Sequence, residues 1–369
     1  MVFKSCRNRF AGDLNQVAQE KTRCCSGKRR TANAQTSSDK PLTSSMNPVQ
    51  APLEAKLRHV FNFHCEYAGS WNQALKMLRC LVSPDRDVIL DGFLEYSLVW
   101  AKYRKRRHEK LRTMPWIGFL HCPPGVPHFL HSVYQALPEY LLSSRTWSEI
   151  VPWCRGVFCL SRHHRQWLES VLTVPVSNLH LPTRSPGLAF DLDHYLQKPR
   201  RGIVQVGTYL RRLSSICQLP TRKLRKMRLA SDAGWVTGAV ALEKANGQIA
   251  LDSGNVRELG PLSIAQFDRL LSENLVFTHL YGSSANNTIV ECIVRQTPIL
   301  VNPLPAVQEY LGVDYPLYFC SLEEAAAKAE DTQLIARAHR YLLDLSAKDF
   351  FTPARFLRDF LDSPVYSAL

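Results

Sequence analysis

No stretch of about 18 uncharged apolar residues occurs in the 369-residue chain, so the sequence predicts no membrane-spanning helix. The longest apolar runs, such as VILDGFL and GVFCL, are the size of strands. Paired cysteine spacing is missing as well. The eleven cysteines are scattered and odd in number, which suits a reducing, cytoplasmic compartment and gives no zinc ribbon. Cys154 and Cys159 with His163 and His164 come nearest to a metal cluster. Their spacing fits no common site, and they read as buried thiols beside a surface histidine pair, so no metal is expected. Acidic residues are absent from one further place. Residues 200–228 hold nine basic groups and no carboxylate.

The charge that is present is uneven. The net +14 is made of +6 over residues 1–56, +6 over 57–199 and +9 over 200–228, against −7 over the remainder. Basic surface of this kind attracts phosphate, whether in nucleic acid, at an anionic membrane surface or in a small nucleotide. The run KYRKRRHEKLR, from Lys102 to Arg112, lies on a helix-like stretch beside Trp100 and Tyr103. It reads as a solvated basic face, or else as a surface for nucleic acid, a peripheral anionic membrane or an acidic acceptor. No nucleic-acid signature accompanies it, and no nucleic acid is expected as a partner.

Residues 1–50 are rich in Ser, Thr, Lys, Arg, Asn and Gln and show no periodicity. Too little apolar surface is available there to offset the entropy of ordering, so a disordered basic tail is expected. The same composition would suit an organelle transit peptide. From residue 57 the pattern changes to short apolar runs alternating with helix-like stretches: HVFNFHC, DVILDGF, WIGFLHC, GVFCLS and VSNLHLP are strand-like. The Pro- and Gly-rich segment around 186–200 reads as a linker. A second alternating series follows, with GIVQVGTYL, NLVFTHLY, TPILVNP and PLYFC as strands, while 232–255 reads as loop. The expected class is α/β. Two Rossmann-like domains, 57–185 and 201–369, would face each other across a cleft at the carboxyl ends of their strands.

The chemistry concentrates in NLVFTHLYGSSANNTIVECIVRQTPILVNPLPAVQEYLGV. A strand ends at Tyr281, a small turn follows, and a helix opens at Asn286 and Asn287. Free N–H groups at such a helix start make an anion site. Glu291, one turn on, can accept from ribose hydroxyls. A polar cap on an ordinary core helix is the plainer alternative.

This segment resembles the donor-binding segment of GT-B glycosyltransferases, and SANNTIVECIVRQTPILVN…AVQEYLG is similar to bacterial-type glycosyltransferase-like proteins. VGTYLRR, CRGVFCLS and LHLPT fit the same group in order, so the resemblance covers about residues 57–330. It implies a nucleotide-sugar donor held by the second domain, with no separate cofactor, and an unidentified acceptor held by the first. Glu291 would meet the donor ribose. Ser284, Asn286 and Asn287 would meet the diphosphate, as would Arg211 and Arg212 after Gly207. His121, closing WIGFLH at a strand's carboxyl end, is the expected catalytic group, with His64, Glu66 and Asp91 as weaker candidates.

Two positions depart from the family pattern. Ser283 stands where many retaining members carry a first glutamate, and Gln296 stands where a glycine usually ends the helix. The triplet Asp191-Leu192-Asp193 lies in the linker and reads as a chance match to a metal-binding D-x-D. Glycosyl transfer is the leading reading. A non-catalytic module for a polyanion or nucleotide, and an epimerase on the same scaffold, are its alternatives.

Overall fold

A computed structural model describes residues 54–61, 69–100, 104–131, 133–134, 136–230, 233–247 and 255–369. The expected tail of residues 1–50, His64 and Glu66 lie outside them, as do Lys102 and Tyr103 of the basic run. All described residues belong to one compact unit, Glu54–Leu369.

Among the described residues ten strands form two five-stranded parallel sheets. The first holds β1 (Leu57–Phe61), β2 (Val88–Asp91), β3 (Trp116–Phe119), β4 (Cys154–Cys159) and β5 (Val176–Asn178), in sequential order. Its strands alternate their buried side chains between two apolar layers. Leu90, Ile117 and Phe158 enter one layer, while Ile89, Trp116 and Val157 enter the other. A sheet buried on both faces needs such near-continuous apolar strands.

Helix Gly69–Met77 brings Trp71 and Leu75 to the first layer, and helix Arg162–Val171 brings Leu168 to the second. The chain's last helices, Pro353–Leu361 and Pro364–Ser367, also lie on this sheet. Phe360 stacks on Phe119 and Phe158, and Phe356 on Phe119. Gly156 in β4 permits the approach, since a Cβ there would sit 2.8 Å from Val365 Cγ1. By sequence these helices fall in the 201–369 domain. By packing they complete the core of the first.

The second sheet holds β6 (Gly202–Val206), β7 (Arg225–Leu229), β8 (Val256–Leu259), β9 (Leu275–Thr278) and β10 (Ile299–Val301). Its order is β10-β9-β6-β7-β8, so the direction of strand addition reverses between β6 and β9. Ligands of open parallel sheets bind at such a reversal, outside the carboxyl ends of the strands.

Several local expectations change. The stretch read as loop holds helix Ala233–Ala245, whose apolar residues are spread around the axis and so show no period. PLYFC forms a single bridge, Val301 to Tyr318, rather than a strand. The linker contains helix Leu192–Gln197, capped by Asp191 accepting from His194 N. Gln296 takes the left-handed conformation in glycine's place (φ 56), donating its N–H to the carbonyls of Cys292 and Ile293.

Candidate functional site

At the strand reversal the chain leaves β6 through Gly207, which has φ 78. A Cβ here would lie 3.0 Å from Arg211 Cζ, so the glycine makes room for that guanidinium. Arg211 folds back and donates from Nη1 to the Tyr209 carbonyl (2.7 Å). Its Nη2 donates to Asn286 Oδ1 (3.3 Å) and Thr288 Oγ1 (3.0 Å). The side chain is buried, Nε has no hydrogen-bond partner, and no carboxylate pairs with it among the described residues. Burial pushes its pKa down to about 10. A guanidinium held dry without a counter-charge is a place for an anion.

Asn286 caps helix Asn287–Arg295, its Oδ1 accepting from Ile289 N (3.3 Å). Asn287 is exposed in the first turn, and Ser283 and Ser284 are buried in the preceding turn. Ser284 Oγ and His164 Nδ1 lie 2.8 Å apart, joining the two halves. Thus the structure brings Gly207, Arg211 and Asn286 together, with Ser284 and Asn287 beside Asn286 along the chain. Arg212 turns instead over the Tyr281 ring (4.8 Å) while its backbone N–H binds the His279 carbonyl.

Glu291 has protein partners that the sequence did not show. Its carboxylate accepts from Thr183 Oγ1 (2.8 Å) and pairs with Arg295, four residues on and fully buried. Arg295 in turn meets Asp268 at 2.5 Å, and Asp268 pairs with Arg184. Glu291 therefore belongs to an ion network that runs through Arg295 and Asp268 to Arg184. A carboxylate oxygen accepts more than one hydrogen bond, so membership of the network is compatible with a ribose hydroxyl at the same group.

On the first domain, His121 follows β3 as expected, and the structure adds a partner that sequence reasoning missed. Glu95 is fully buried, and its Oε1 accepts from the backbone N–H groups of His121 (2.6 Å) and Cys122 (2.7 Å). Its Oε2 lies 3.9 Å from His121 Nδ1. Burial opposes the Glu95 charge, but the His121 ring and the backbone N–H groups hold its pKa below the usual carboxylate value. Burial also lowers the His121 pKa against the pull of Glu95. Among the described residues neither ring nitrogen has a hydrogen-bond partner, and Glu95 is the acidic group beside the ring. The ring is packed edge-on by Trp71 and against Phe93. Asp91, the weaker candidate, is buried and shapes its own turn by accepting from Phe93 N.

His164, read from sequence as half of a surface pair, is buried in the cleft. Burial lowers its pKa to about 4. The unfolded chain, with an ordinary histidine pKa near 6.5, therefore binds the proton first, and stability falls as pH drops from 6.5 towards 4. Lowering pH from 7 to 5 should cost about 2 kcal/mol through this group. Denaturant titrations at both pH values check it. His164→Gln should lose that much less than the parent chain, and equal losses would refute the assignment.

Apolar contacts also join the two halves. Val126, Leu130, Tyr134 and Leu137 of the first domain cluster with Leu210 and Tyr281 of the second. Leu210 N donates to the Tyr134 hydroxyl (3.1 Å), and Cys122 Sγ lies 2.9 Å from the Tyr209 hydroxyl. Among the described residues no His, Cys, Asp and Glu group forms a metal cluster, and no helix is long and apolar enough to cross a membrane.

No protein-family model and no curated sequence matches the chain. Solved structures do. Sucrose-phosphate synthase from Thermosynechococcus elongatus aligns with a TM-score of 0.56 at 12% identity, covering 80% of this chain and 78% of that one. The UDP-forming α,α-trehalose-phosphate synthase from Burkholderia vietnamiensis aligns at 0.50 and 13%, covering 80% and 77%. A mutant of S. aureus TarM, solved in complex with Fondaparinux, α-GlcNAc-glycerol and UDP, aligns at 0.52 and 9%, covering 76% and 55%. With its two five-stranded parallel sheets, the chain has the fold of the GT-B glycosyltransferases.

Proposed function

We propose that this chain transfers a sugar from a nucleoside-diphosphate donor to a hydroxyl-bearing acceptor. The observation that carries this is Arg211, a buried guanidinium without a carboxylate partner among the described residues, beside the amino end of helix Asn287–Arg295. Arg211 and the helix N–H groups take the diphosphate, and Arg212, Ser284 and Asn287 border it. Glu291 accepts from the ribose, and no separate cofactor or metal is needed.

In the reaction the sugar C1–O bond to the diphosphate breaks and a C1–O bond to the acceptor forms. Negative charge gathering on the departing diphosphate is met by groups already in place. His121 takes the acceptor proton, with Glu95 as the positioning residue behind it. The acceptor belongs on the first domain, where the exposed basic helix Arg104–Leu111 favours one carried at an anionic membrane surface.

Ser283 and the apolar cluster shared by the two halves favour a second reading, a nucleotide-binding module without transfer. Thermal shift with a panel of nucleoside diphosphates tests what both readings share. A ligand at 100 times its dissociation constant adds about 2.7 kcal/mol, so at least one base should raise the melting temperature. A flat response across uridine, guanosine, adenosine and thymidine diphosphates at millimolar concentration would sink both. Donor turnover then separates them.

A further inference from the structure

The nine basic residues of 200–228 divide by location. Arg211 and Arg212 follow the carboxyl end of β6, on the cleft side. Lys226 and Arg228 are buried: Lys226 Nζ caps the carbonyls of Cys217 and Leu219, and Arg228 pairs with Glu258. The others, Arg200, Arg201, Arg222, Lys223 and Arg225, lie at the amino ends of β6 and β7. That is the opposite end of the sheet from the cleft.

A cavity of about 580 Å³ opens among them, lined by Leu196, Lys198, Pro199, Arg201, Lys223 and Thr332. Among the described residues no acidic side chain lines it. Arg201 carries its guanidinium over the ring of the buried Tyr195 (5.7 Å), and its Nη1 is buried with no hydrogen-bond partner among the described residues. The neighbouring strand brings Arg225 alongside, its N–H donating to the Arg201 carbonyl (2.9 Å).

Two carboxylates stand outside the lining. Glu273 pairs with Lys198 at 3.0 Å. Glu330 lies 3.6 Å from Lys223, but its Oε1 accepts from Thr221 Oγ1 and from the N–H groups of Arg222 and Lys223. Helix Thr332–Ser346 begins at the cavity wall, adding the positive end of its dipole. Cationic groups thus outnumber acidic ones around a space of small-ligand size.

We infer that this cavity is a second anion site, taking the phosphate of a small soluble phosphorylated ligand on Arg201 and Lys223. A planar guanidinium fork on the cavity wall suits a phosphate oxygen, and the lysine adds a point charge beside it. The cavity includes linker residues Lys198 and Pro199, so its occupant touches the segment that joins the two sheets.

Inorganic pyrophosphate titrated calorimetrically into the full chain is the test. Arg201→Gln should weaken one binding event at least about tenfold, and Lys223→Gln about threefold. Both residues have exposed surface, and circular dichroism confirms the fold of each variant. If the cleft also binds pyrophosphate, the parent chain shows two events and Arg201→Gln one; if it does not, one and none. Unchanged binding in Arg201→Gln, or loss of every event in Arg211→Gln alone, would overturn the site. So would equal suppression of all binding by potassium chloride at matched ionic strength in parent and variant, which marks diffuse attraction. Arg201-dependent binding to phosphatidylglycerol vesicles without pyrophosphate binding would assign the phosphate to a lipid headgroup and overturn the soluble ligand.

Discussion

Replacing Asp268 with alanine is expected to destabilise the chain by about 3–5 kcal/mol, the range for removing one partner of a buried ion pair. Asp268 is almost fully buried and holds three groups at once. It pairs with Arg295, pairs with Arg184 and accepts from Gly187 N (3.0 Å). Burial works against its charge, yet the two guanidiniums and the Gly187 N–H bring its pKa down to about 2. Because that folded pKa lies below the unfolded value, its contribution is present above about pH 4 and lost as pH falls through 2.

Removing the carboxylate leaves Arg295, which has no exposed surface, with Glu291 alone as its acidic partner. It also frees the chain at Arg184 and Gly187, so the loss includes the joint between the two sheets. Denaturant unfolding at pH 7 measures it, and a change under about 1 kcal/mol would show that the network contributes little. Glu291→Gln keeps the size of the side chain and removes one charge, for which about 1–3 kcal/mol is the expected cost. That loss must be separated from any change in nucleotide affinity before Glu291 is read as a ribose contact.

Why the sequence revealed some of this and not the rest follows from what each signal encodes. Alternating strand-sized and helix-sized apolar runs report burial on both faces of a sheet, and both sheets were legible that way. Helical periodicity says that one face of Pro353–Leu361 is buried, but not against which sheet. Only the tertiary structure sets Phe356 and Phe360 against Phe119. Ala233–Ala245 has apolar residues on all sides and therefore no period to find.

At the site, Gly207, Arg211 and Asn286 were legible because a strand end, a glycine and a helix start are local features. Glu95 was not. Nothing local in GFLEYSL marks its glutamate, whose value lies in meeting the backbone of His121, 26 positions away. The ion network around Glu291 was equally hidden. Arg295 lies only four residues on, but Asp268 and Thr183, which make the pair a buried network, are distant along the chain.

Arg211→Gln is expected to reduce nucleoside-diphosphate affinity by about ten- to a hundredfold, with a change in stability within about 1 kcal/mol. The affinity figure follows from a hydrogen bond to a charged group, about 1.5–3 kcal/mol, read through the binding constant. The stability figure rests on two opposed effects at the same side chain. Arg211 donates to Tyr209, Asn286 and Thr288, and each of those bonds is favourable. Against them stands the cost of keeping an unneutralised charge out of water, which in proteins amounts to several kcal/mol. An arginine needed only by the scaffold would behave like Asp268: its loss would lower the unfolding free energy well beyond about 1 kcal/mol and leave any ligand effect secondary. An arginine held ready for phosphate should instead lose the ligand and keep the fold. Calorimetric titration of the diphosphate that gives the largest thermal shift, beside denaturant unfolding of the same variant, decides between them. Intact affinity in a folded Arg211→Gln chain would remove the observation on which the proposed donor site stands.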